Sequence, residues 1–511
     1  MAMLRRARHA MGRRCFRFGG FVLAGVAALG TSVVALPAPA QAGLFGGSSE
    51  YIVSAPSGTL GTVLNALSGV GATPGTALSF VNAVTTQLNS LEVTLLDAVP
   101  GIVVTPDLTV NVQGSVGSSG HAPSDAFSQQ TGATRLWAQG DTGAGVNVAV
   151  LDTGIQALPD FSGRMVDGVD LSGGNNPWQD NYGHGTFVAG LIAGNGASSN
   201  GAYTGEAPGA GLVSVKVAGA SGQTDLATVI AGVGWTIAHQ GADNISVLNM
   251  SLGYLPIEST VVDPLDQAVE KAWESGITVV TSAGNSGPGN GSVTSPGDDP
   301  LVITVGAVDD GAQANPAKDT MTTFSSVGPT NPDGWFKPDL VTSGRSVVSL
   351  RDPGSTIDAQ NPSARVGSAN FVGSGTSFSS AVTSGAAALL ISADPSYAPN
   401  TVKGTLLGTT APGPVGNPFV DGHGILDAAD AVGSAAMTLN QPVPTVFSQI
   451  GATVSLEVAG ALSSWNPANW TGSTWNGSTW NGSTWNGSTW NGSTWNGSTW
   501  NGSTWNGSTW N

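Results

Sequence analysis

The chain has 511 residues, of which 10% are charged and 74 are glycine. This length can form more than one folded unit, and so low a charged fraction excludes a coiled coil. Six of the 16 basic residues lie in the first 17 positions, so the rest of the chain sets 10 basic residues against 33 acidic ones, a net charge of −23. We expect no nucleic-acid binding from a protein this acidic.

Residues 1–42 have the pattern of a secretory signal peptide. Arginines precede the apolar run "FGGFVLAGVAALGTSVVAL", and an Ala-Gln-Ala cleavage signal ends at Ala42. A membrane anchor is the alternative, but the apolar run is short and rich in glycine and alanine. Arg13-Arg14 suggests the twin-arginine export route. We therefore expect a secreted or cell-surface protein without disulfides, because the only cysteine, Cys15, leaves with the signal.

Residues 43–122 are predicted to form a small α+β region and a linker. "YIVSAPSG" predicts a strand, "ALSFVNAVTTQLNSLEVTLLDAV" has helical periodicity, and "PGIVVTPDLTVNV" alternates as a strand does. The Gly- and Ser-rich stretch that begins near residue 113 is typical of a domain boundary or a proteolytic cut. No later stretch is apolar over the length that a membrane helix requires.

Residues 123–435 are predicted to form a doubly wound parallel α/β sheet. The runs "VNVAVLD", "GLVSVKVA", "ISVLNMSL", "GITVVTSAG" and "PLVITVGAV" are nearly continuous in apolar residues, as strands buried on both faces are. The segments between them are long enough for crossover helices. In such a fold, polar residues at the carboxyl ends of the strands line the functional crevice.

Three polar residues stand at predicted strand or helix ends. Asp152 ends the strand "VAVLD", His184 lies between glycines before an apolar run, and Ser377 precedes another such run. Each alone has an ordinary interpretation: Asp152 as a turn residue, His184 as a core or capping histidine, and Ser377 as a helix N-cap. Together they suggest one site.

The motifs "VAVLDTGI", "GHGTFVAG", "GEAPGA", "NMSLG", "SAGNSG", "KPDL" and "GSGTSFSSAVTSG" occur in this order over roughly 300 residues. This set resembles that of the subtilisin-like (subtilase) serine peptidases, which share the order Asp, His, Ser. The resemblance implies a subtilisin-like fold and a serine endopeptidase that acts on polypeptides, which we expect to be a monomer.

The resemblance also implies roles for single residues. Ser377 would be the nucleophile, His184 the general base and then acid, and Asp152 the group that orients the imidazole. Asn285, in "SAGNSG", matches the amide that stabilises the oxyanion together with the Ser377 backbone N–H. Taken alone, Asn285 could be a turn residue, since glycines flank it.

Substrate-binding residues follow from the same resemblance. Ser251, Leu252 and Gly253 match the strand that pairs with an extended substrate backbone, which predicts broad peptide specificity. Ala283 and Gly284 are small, so we expect a roomy first pocket.

The chain departs from the family pattern beside the nucleophile. Phe378 and Ser379 stand where Met-Ala is usual, and Ala381 stands where a proline is usual. Thr342 and Ser343 likewise replace Ala-Pro. These departures leave the catalytic atoms in place and put in question the packing at the start of the helix and the shape of the pocket.

Residues 43–113 resemble, more weakly, the inhibitory propeptides of the family, with "LLDAVPGIVVTPD" as their closing helix and strand. An ordinary N-terminal domain is the alternative. The chemistry requires no cofactor. Family resemblance and the missing disulfides suggest structural calcium, although no dense Asp-x-Asp loop is present and its ligands cannot be assigned from the sequence.

After a linker, residues 436–464, the unit Trp-Asn-Gly-Ser-Thr repeats through residues 465–511. A period of five fits neither a helix nor a strand, and Asn-Gly favours a tight turn. The exposed aromatic faces suggest contact with glycans or a cell wall, and a spacer without a ligand is the alternative. A surface-binding protein without catalytic activity is the competing function, but such a protein has no need for the triad and Asn285 together.

Overall fold

The structure, a computed structural model, describes residues 48–116 and 123–441 in full and, beyond residue 444, only the backbone of short strands. The predicted signal peptide, residues 1–42, lies outside the described residues. Residues 117–122 of the predicted linker also lie outside them.

The first folded unit is an antiparallel sheet with two helices. Its elements are β1 (Ser49–Ser54), α1 (Leu60–Val70), β2 (Pro74–Leu78), β3 (Ala83–Leu88), α2 (Ser90–Asp97) and β4 (Val103–Pro106). The strands lie in the order β2-β3-β1-β4. Thr59 and Asn89 begin the two helices with capping boxes, in which each side chain accepts a hydrogen bond from a free backbone N–H of the first turn.

The sequence prediction was only partly correct in this unit. Strands were predicted for β1 and for residues 103–112, and both are present, but residues 83–88 form a strand where helical periodicity was assigned. This segment contains β-branched Val84, Thr85 and Thr86, which favour a strand, and Asn82 before it has a left-handed φ of 50° that ends the preceding turn. Helix α1 was missed because glycines interrupt its apolar pattern.

The remaining elements of residues 109–435 form an α/β domain. They are β5 (Thr109–Val112), β6 (Ser115–Val116), α3 (Phe127–Gln130), α4 (Ala133–Ala138), β7 (Asn147–Asp152), β8 (Met165–Asp170), α5 (His184–Ala193), β9 (Gly211–Lys216), β10 (Gln223–Asp225), α6 (Leu226–His239), β11 (Ile245–Met250), β12 (Leu252–Gly253), α7 (Pro264–Glu274), β13 (Thr278–Ser282), β14 (Ile303–Asp309), β15 (Thr320–Met321), β16 (Leu340–Ser343), β17 (Val347–Leu350), α8 (Thr356–Gln360), β18 (Arg365–Val366), β19 (Asn370–Ser374), α9 (Thr376–Ala393), α10 (Pro399–Gly408) and α11 (Ala428–Gly433).

The central sheet has the strand order β15-β14-β13-β11-β7-β9-β8, with β16 beside β14. All its pairs are parallel except that of β14 with the edge strand β15. The five predicted apolar strands are β7, β9, β11, β13 and β14, so the prediction of a parallel α/β sheet is confirmed.

Helices cover both faces of this sheet. Gly232 of α6 lies against Leu151, since a Cβ on that glycine would be 3.0 Å from a Leu151 methyl carbon. Asn249, whose neighbour on β7 is Val150, instead accepts a hydrogen bond from Ser384 of α9. Because successive residues of a strand point to opposite faces, α6 and α9 lie on opposite sides of the sheet.

Helix α9 is the central helix of the domain. Among the described residues it is the one helix long and apolar enough to cross a membrane by length and composition, which the sequence analysis did not expect. However, 89% of its residues are buried inside the protein, so its apolar character reflects a position in the core.

The first unit packs against the α/β domain with the outer face of its sheet. Ile52, Leu78 and Val81 belong to the same apolar cluster as the central sheet. The ring of Phe80 lies against α6 at Gly234, where a Cβ would be 2.7 Å from the ring. The absence of a side chain at Gly234 therefore lets the two units approach closely.

The repeat tail contains short antiparallel strands. They follow the strands β20 (Thr445–Ile450) and β21 (Thr453–Glu457) and are β22 (Thr479–Asn481), β23 (Thr484–Asn486), β24 (Thr489–Trp490), β25 (Ser493–Thr494), β26 (Thr499–Asn501) and β27 (Thr504–Asn506). Trp480 is the cross-strand neighbour of Trp485, and Trp500 that of Trp505. Two residues separate the strands of each pair, and these strands were not expected from the sequence.

Glu206, in the motif "GEAPGA", is a fully buried carboxyl group next to α9. Burial raises its pKa to about 8, and the hydroxyl of Thr131 acts in the opposite direction. A Cβ on Gly385 of α9 would lie 2.5 Å from the Glu206 Cβ, so the side chain is closely packed. Glu206 is therefore protonated at neutral pH in the folded protein.

We expect Glu206→Gln to flatten the dependence of stability on pH. The folded-state pKa lies above the ordinary value, so the folded state binds an extra proton between about pH 4.5 and pH 8 and loses stability as pH rises through that window. Thermal unfolding at pH 5, 6, 7 and 8, compared with that of the exposed variant Glu274→Gln, measures this. Parallel curves for wild type and Glu206→Gln would show that Glu206 does not titrate as argued.

Candidate active site

Asp152 and His184 form a buried pair at the carboxyl edge of the central sheet. Asp152 is the last residue of β7, and His184 is the first residue of α5. The imidazole Nδ1 lies 2.8 Å and 3.0 Å from the two carboxylate oxygens, and both side chains are almost completely buried. The carboxylate thus accepts a hydrogen bond from Nδ1–H, which leaves Nε2 as the nitrogen that can accept a proton.

The glycines around His184 allow α5 to begin against β7. Gly183 has a φ of 103°, a conformation that other residues rarely adopt. A Cβ on Gly185 would lie 3.2 Å from the Asp152 Cβ and closer still to the Gly154 carbonyl oxygen. Glycine on both sides of His184 is therefore required for α5 to begin this close to the end of β7.

Asp180 supports this arrangement and was missed by the sequence analysis. Its carboxylate accepts hydrogen bonds from the Thr153 hydroxyl (2.8 Å), the Gly183 N–H (2.7 Å) and both the N–H and the hydroxyl of Thr186 (2.8 Å each). Burial raises its pKa, and these hydrogen bonds act in the opposite direction. The side chain joins the residue after Asp152 to the residues on both sides of His184, and its signal in the sequence is only an acidic residue four positions before the histidine.

Ser377 is the second residue of α9 and is completely buried. Its Oγ donates a hydrogen bond to the Ser251 carbonyl oxygen at 3.2 Å. None of the described residues forms a hydrogen bond with His184 Nε2. The hydrogen bond from Ser377 to His184 that the resemblance implies is therefore absent from this state, in which the hydroxyl is turned toward Ser251.

Asn285 is held by the first residue of α9. Its Oδ1 accepts hydrogen bonds from the Thr376 N–H at 2.9 Å and the Thr376 hydroxyl at 3.0 Å. The Gly284 N–H in turn donates to that hydroxyl at 3.1 Å. These donors fix the amide so that Nδ2 faces Gly375, where a Cβ would lie 3.4 Å from it.

A segment of the chain itself lies between two strands beside this site. β5 pairs antiparallel with β10 on one side and with β12 on the other, Asn111 standing opposite both Gln223 and Gly253. The next residues continue past Ser377, since the Gln113 N–H donates to the Ser251 carbonyl oxygen at 2.8 Å. The predicted substrate strand, Ser251 to Gly253, thus pairs with an extended segment of the chain itself.

The carbonyl group of Gln113 lies close to Asn285. A Cβ on Gly375 would be 3.2 Å from the Gln113 oxygen, 3.4 Å from Asn285 Nδ2 and 2.7 Å from the Gly114 Cα. On the opposite side, a Cβ on Gly114 would be 3.2 Å from His184 Nε2. The peptide bond between Gln113 and Gly114 is therefore surrounded by the predicted catalytic groups.

Ala283 and Gly284 lie just after β13 and are buried. A Cβ on Gly284 would lie 2.8 Å from the Ser326 hydroxyl and 3.0 Å from a Thr294 methyl carbon, and the residue has a φ of 108°. The missing side chain at this position makes room for Ser326 and Thr294, so it does not by itself enlarge a substrate pocket.

Comparison with known proteins identifies the family. The model of the subtilase family matches residues 143–435, more than half of the chain. The serine protease AprX of Bacillus subtilis (strain 168) is 43% identical over 297 residues, which are 57% of this chain and 67% of AprX. The chain belongs to the subtilase family. It is a serine-type endopeptidase that acts on polypeptides, and the chemistry of the family needs no cofactor.

Two further relatives agree with this assignment. Subtilisin E of Bacillus subtilis (strain 168) is 35% identical over 306 residues, 59% of this chain and 69% of subtilisin E. Fervidolysin from Fervidobacterium pennivorans, described as a keratinolytic enzyme related to subtilisin, superimposes with a TM-score of 0.59 at 21% identity. The match covers 78% of this chain and 65% of the fervidolysin chain, and it shows the shared fold.

Two of the segments in which this subtilase departs from the family pattern contact each other through Ser379. Ser379 donates a hydrogen bond to the Thr342 carbonyl oxygen at 3.1 Å, and Ser343 donates to Asp310 at 2.8 Å. Phe378 is completely buried, with its ring centroid 4.4 Å from that of Phe187. The helix start is thus packed by hydroxyl groups and an aromatic pair.

The described residues do not form a carboxylate calcium site. In residues 48–116 and 123–441, no three His, Cys, Asp or Glu side chains are arranged to hold a metal ion. Four buried carboxyl groups, Asp266, Glu270, Asp298 and Asp299, each have an oxygen without a hydrogen-bond partner. Burial raises the pKa of all four, that of Asp299 to about 6.

We expect Asp180→Asn to lower kcat by about tenfold to 100-fold while KM changes little, because a displaced imidazole affects the reaction more than substrate binding. An asparagine amide cannot accept all five hydrogen bonds that Asp180 accepts, one each from Thr153, Tyr182 and Gly183 and two from Thr186. Peptide hydrolysis measures kcat and KM, with Asp170→Asn, at the end of β8, as the control. An unchanged kcat, or a loss of folded protein that accounts for the lost activity, would leave Asp180 a purely structural role.

Proposed function

We propose that this subtilase is a secreted endopeptidase that uses Asp152, His184 and Ser377, and that it first cleaves its own chain between Gln113 and Gly114. The observation that carries the proposal is the extended segment that passes through the site, with the Gln113 N–H bound to the Ser251 carbonyl oxygen at 2.8 Å. The segment occupies the position that a substrate backbone would take.

The triad would act in two steps. Ser377 Oγ attacks the Gln113 carbonyl carbon while His184 Nε2 accepts its proton, and the Asp152 carboxylate stabilises the imidazolium that forms. The bond from Gln113 to Gly114 then breaks, and the proton passes from His184 to the Gly114 nitrogen. Water releases the acyl group from Ser377 by the reverse path, leaving a carboxylate on Gln113 and a free amine on Gly114. The hydroxyl must first rotate from the Ser251 carbonyl oxygen toward His184.

Asn285 would stabilise the oxyanion. Its Nδ2 and the backbone N–H of Ser377 are the donors expected for the charge that develops on the carbonyl oxygen. The proximity of both Asn285 Nδ2 and the Gln113 oxygen to Gly375 supports this role, as do the hydrogen bonds from Thr376 that fix the amide.

Residues 43–113 would then serve as a propeptide that remains on the enzyme as an inhibitor after the cut. Three contacts outside the cleft support this role: Phe80 lies on α6, the Thr105 hydroxyl donates to Glu258 at 2.7 Å, and Asp107 accepts the Ala227 N–H at 3.0 Å. Asp107 thereby satisfies a free N–H group of the first turn of α6. An ordinary N-terminal domain would have no reason to send its last strand into the active site.

The competing function is a surface-binding protein without catalysis. The paired Asp152 and His184, the oriented Asn285 and the peptide held at Ser377 favour the enzyme. A fluorophosphonate probe distinguishes the two, because it labels only a serine activated by its histidine. Absence of labelling in the processed protein would favour the binding protein.

We expect Ser377→Ala to accumulate as an unprocessed chain, whereas the wild type yields a mature protein that begins at Gly114 and a fragment that ends at Gln113. N-terminal sequencing and intact mass measure both ends. Ser392→Ala, on the same helix, is the matched control and should be processed normally. A wild-type N-terminus elsewhere would refute the assigned bond, and processing of pure Ser377→Ala would refute self-cleavage.

Export and surface attachment complete the proposal. Residues 1–42 would direct secretion, and the repeat tail, residues 465–511, would hold the monomeric enzyme on glycans or a cell wall. Ten of the chain's 15 tryptophans lie in this tail, and repeated weak stacking on sugars gains affinity through avidity. Short paired strands of the repeats, with tryptophans as cross-strand neighbours, are compatible with such a display.

We expect a chain that ends near residue 440 to keep full peptide hydrolysis and to lose retention on cell walls, because a tail so poor in aliphatic residues is not expected to build part of the α/β core. A full-length chain with its tail tryptophans replaced by alanine is the matched control and should behave as the truncation does. Equal retention of all three proteins would identify the tail as a spacer, and lost hydrolysis on truncation would overturn the domain boundary.

A further inference from the structure

Phe378 follows the nucleophile directly and faces the residue after the proposed cleavage site. A Cβ on Gly114 would lie 3.1 Å from Phe378 Cζ and 3.5 Å from Cε1, in addition to 3.2 Å from His184 Nε2. Ordinary contacts between carbon atoms begin near 3.5 Å, so even a methyl group at this position would be crowded.

The groups packed around the Phe378 ring limit how far it can move to relieve this crowding. Phe378 is completely buried, and its centroid lies 4.4 Å from the Phe187 ring and 5.7 Å from the His184 ring. On another side, a Cβ on Gly373 would lie 2.7 Å from Phe378 Cε2. The ring therefore fills the space between Gly373, Phe187 and the substrate segment.

Backbone conformation does not explain the glycine at position 114. Gly114 does not have the positive φ that favours glycine, so its φ is one that other amino acids also adopt. The requirement for a glycine at this position comes from the available space alone.

We propose that Phe378 restricts the residue after the cleaved bond to glycine, so that this enzyme cuts extended polypeptides at bonds that precede glycine. The inference rests on the proposed function, because it takes the segment through the site as a bound substrate. Phe378 acts here as a specificity residue: the ring leaves room for a backbone and excludes a side chain next to His184. Methionine, usual at this position, is flexible and can move aside.

The test uses mature enzyme and internally quenched peptides that contain Val-Asn-Val-Gln followed by Gly, Ala, Ser or Leu. We expect kcat/KM to fall roughly 10- to 200-fold from Gly to Ala and further to Leu, since misfit of a single carbon is worth that much. Phe378→Met should raise the rates for Ala and Leu relative to Gly. Phe161→Leu, a buried phenylalanine outside the site, should keep the wild-type preference.

A second pair of variants tests the same contact in the precursor. Gly114→Ala should slow self-cleavage, and the double variant Gly114→Ala with Phe378→Met should restore it. Equal wild-type rates for Gly and Leu peptides, or an unchanged preference in folded Phe378→Met, would overturn the inference and leave the endopeptidase intact. Failure to cleave any peptide, with no labelling by the fluorophosphonate, would refute the proposed function instead.

Discussion

The backbone pairing of β5 between β10 and β12 is the interaction on which the arrangement of the active site depends. Antiparallel pairing sets Asn111 opposite Gly253, and this register brings Gln113 to Ser251 and Ser377. A slip by one residue would turn Val110 out of its completely buried position. Burial of a valine side chain contributes about 1.5–3 kcal/mol to the stability of the fold. The buried Val110 therefore specifies a register that backbone hydrogen bonds alone would not specify.

A second constraint is the close approach of α5 and α9 to the strand ends. Both helices begin without a side-chain cap, at Gly183 and Gly375, and each carries a predicted catalytic residue in its first turn. Most helices are capped by a Ser, Thr, Asn or Asp at the N-cap position. Here side chains from other segments accept the hydrogen bonds instead: Asp180 from the Thr186 N–H of α5, and Asn285 from the Thr376 N–H of α9. The polar groups that would stabilise an ordinary helix start are thus used to orient the site.

Much of the fold could be predicted from the sequence because its signals are local. Each signal is contained in a short segment of the sequence. These signals are the five apolar runs, the motifs around Asp152, His184 and Ser377, and the glycines beside those residues. The register of β5 could not be predicted, since it joins residues 111 and 253 and depends on no pattern within either segment. Asp180 was missed for the same reason: its importance comes from contacts with the loop after β7, which is distant in sequence.

The hydroxyl groups along α9 show how a polar sequence forms a core helix. Ser380 donates to the Ser377 carbonyl oxygen at 2.9 Å and shares a 3.1 Å hydrogen bond with Ser251, whose hydroxyl also accepts from Asn249 at 2.9 Å. Ser384 donates to Asn249 at 2.9 Å, which completes a buried chain of hydrogen bonds.

A buried hydroxyl without a partner would cost about 1–3 kcal/mol, so this chain of hydrogen bonds offsets a large desolvation cost. It also joins α9 to Ser251, the residue whose carbonyl oxygen accepts the Gln113 N–H. The small polar residues of "GSGTSFSSAVTSG" therefore connect the nucleophile's helix to the strand that holds the peptide. Their hydrogen bonds position α9 relative to Ser251, and the pairing of β5 positions the peptide relative to the same strand.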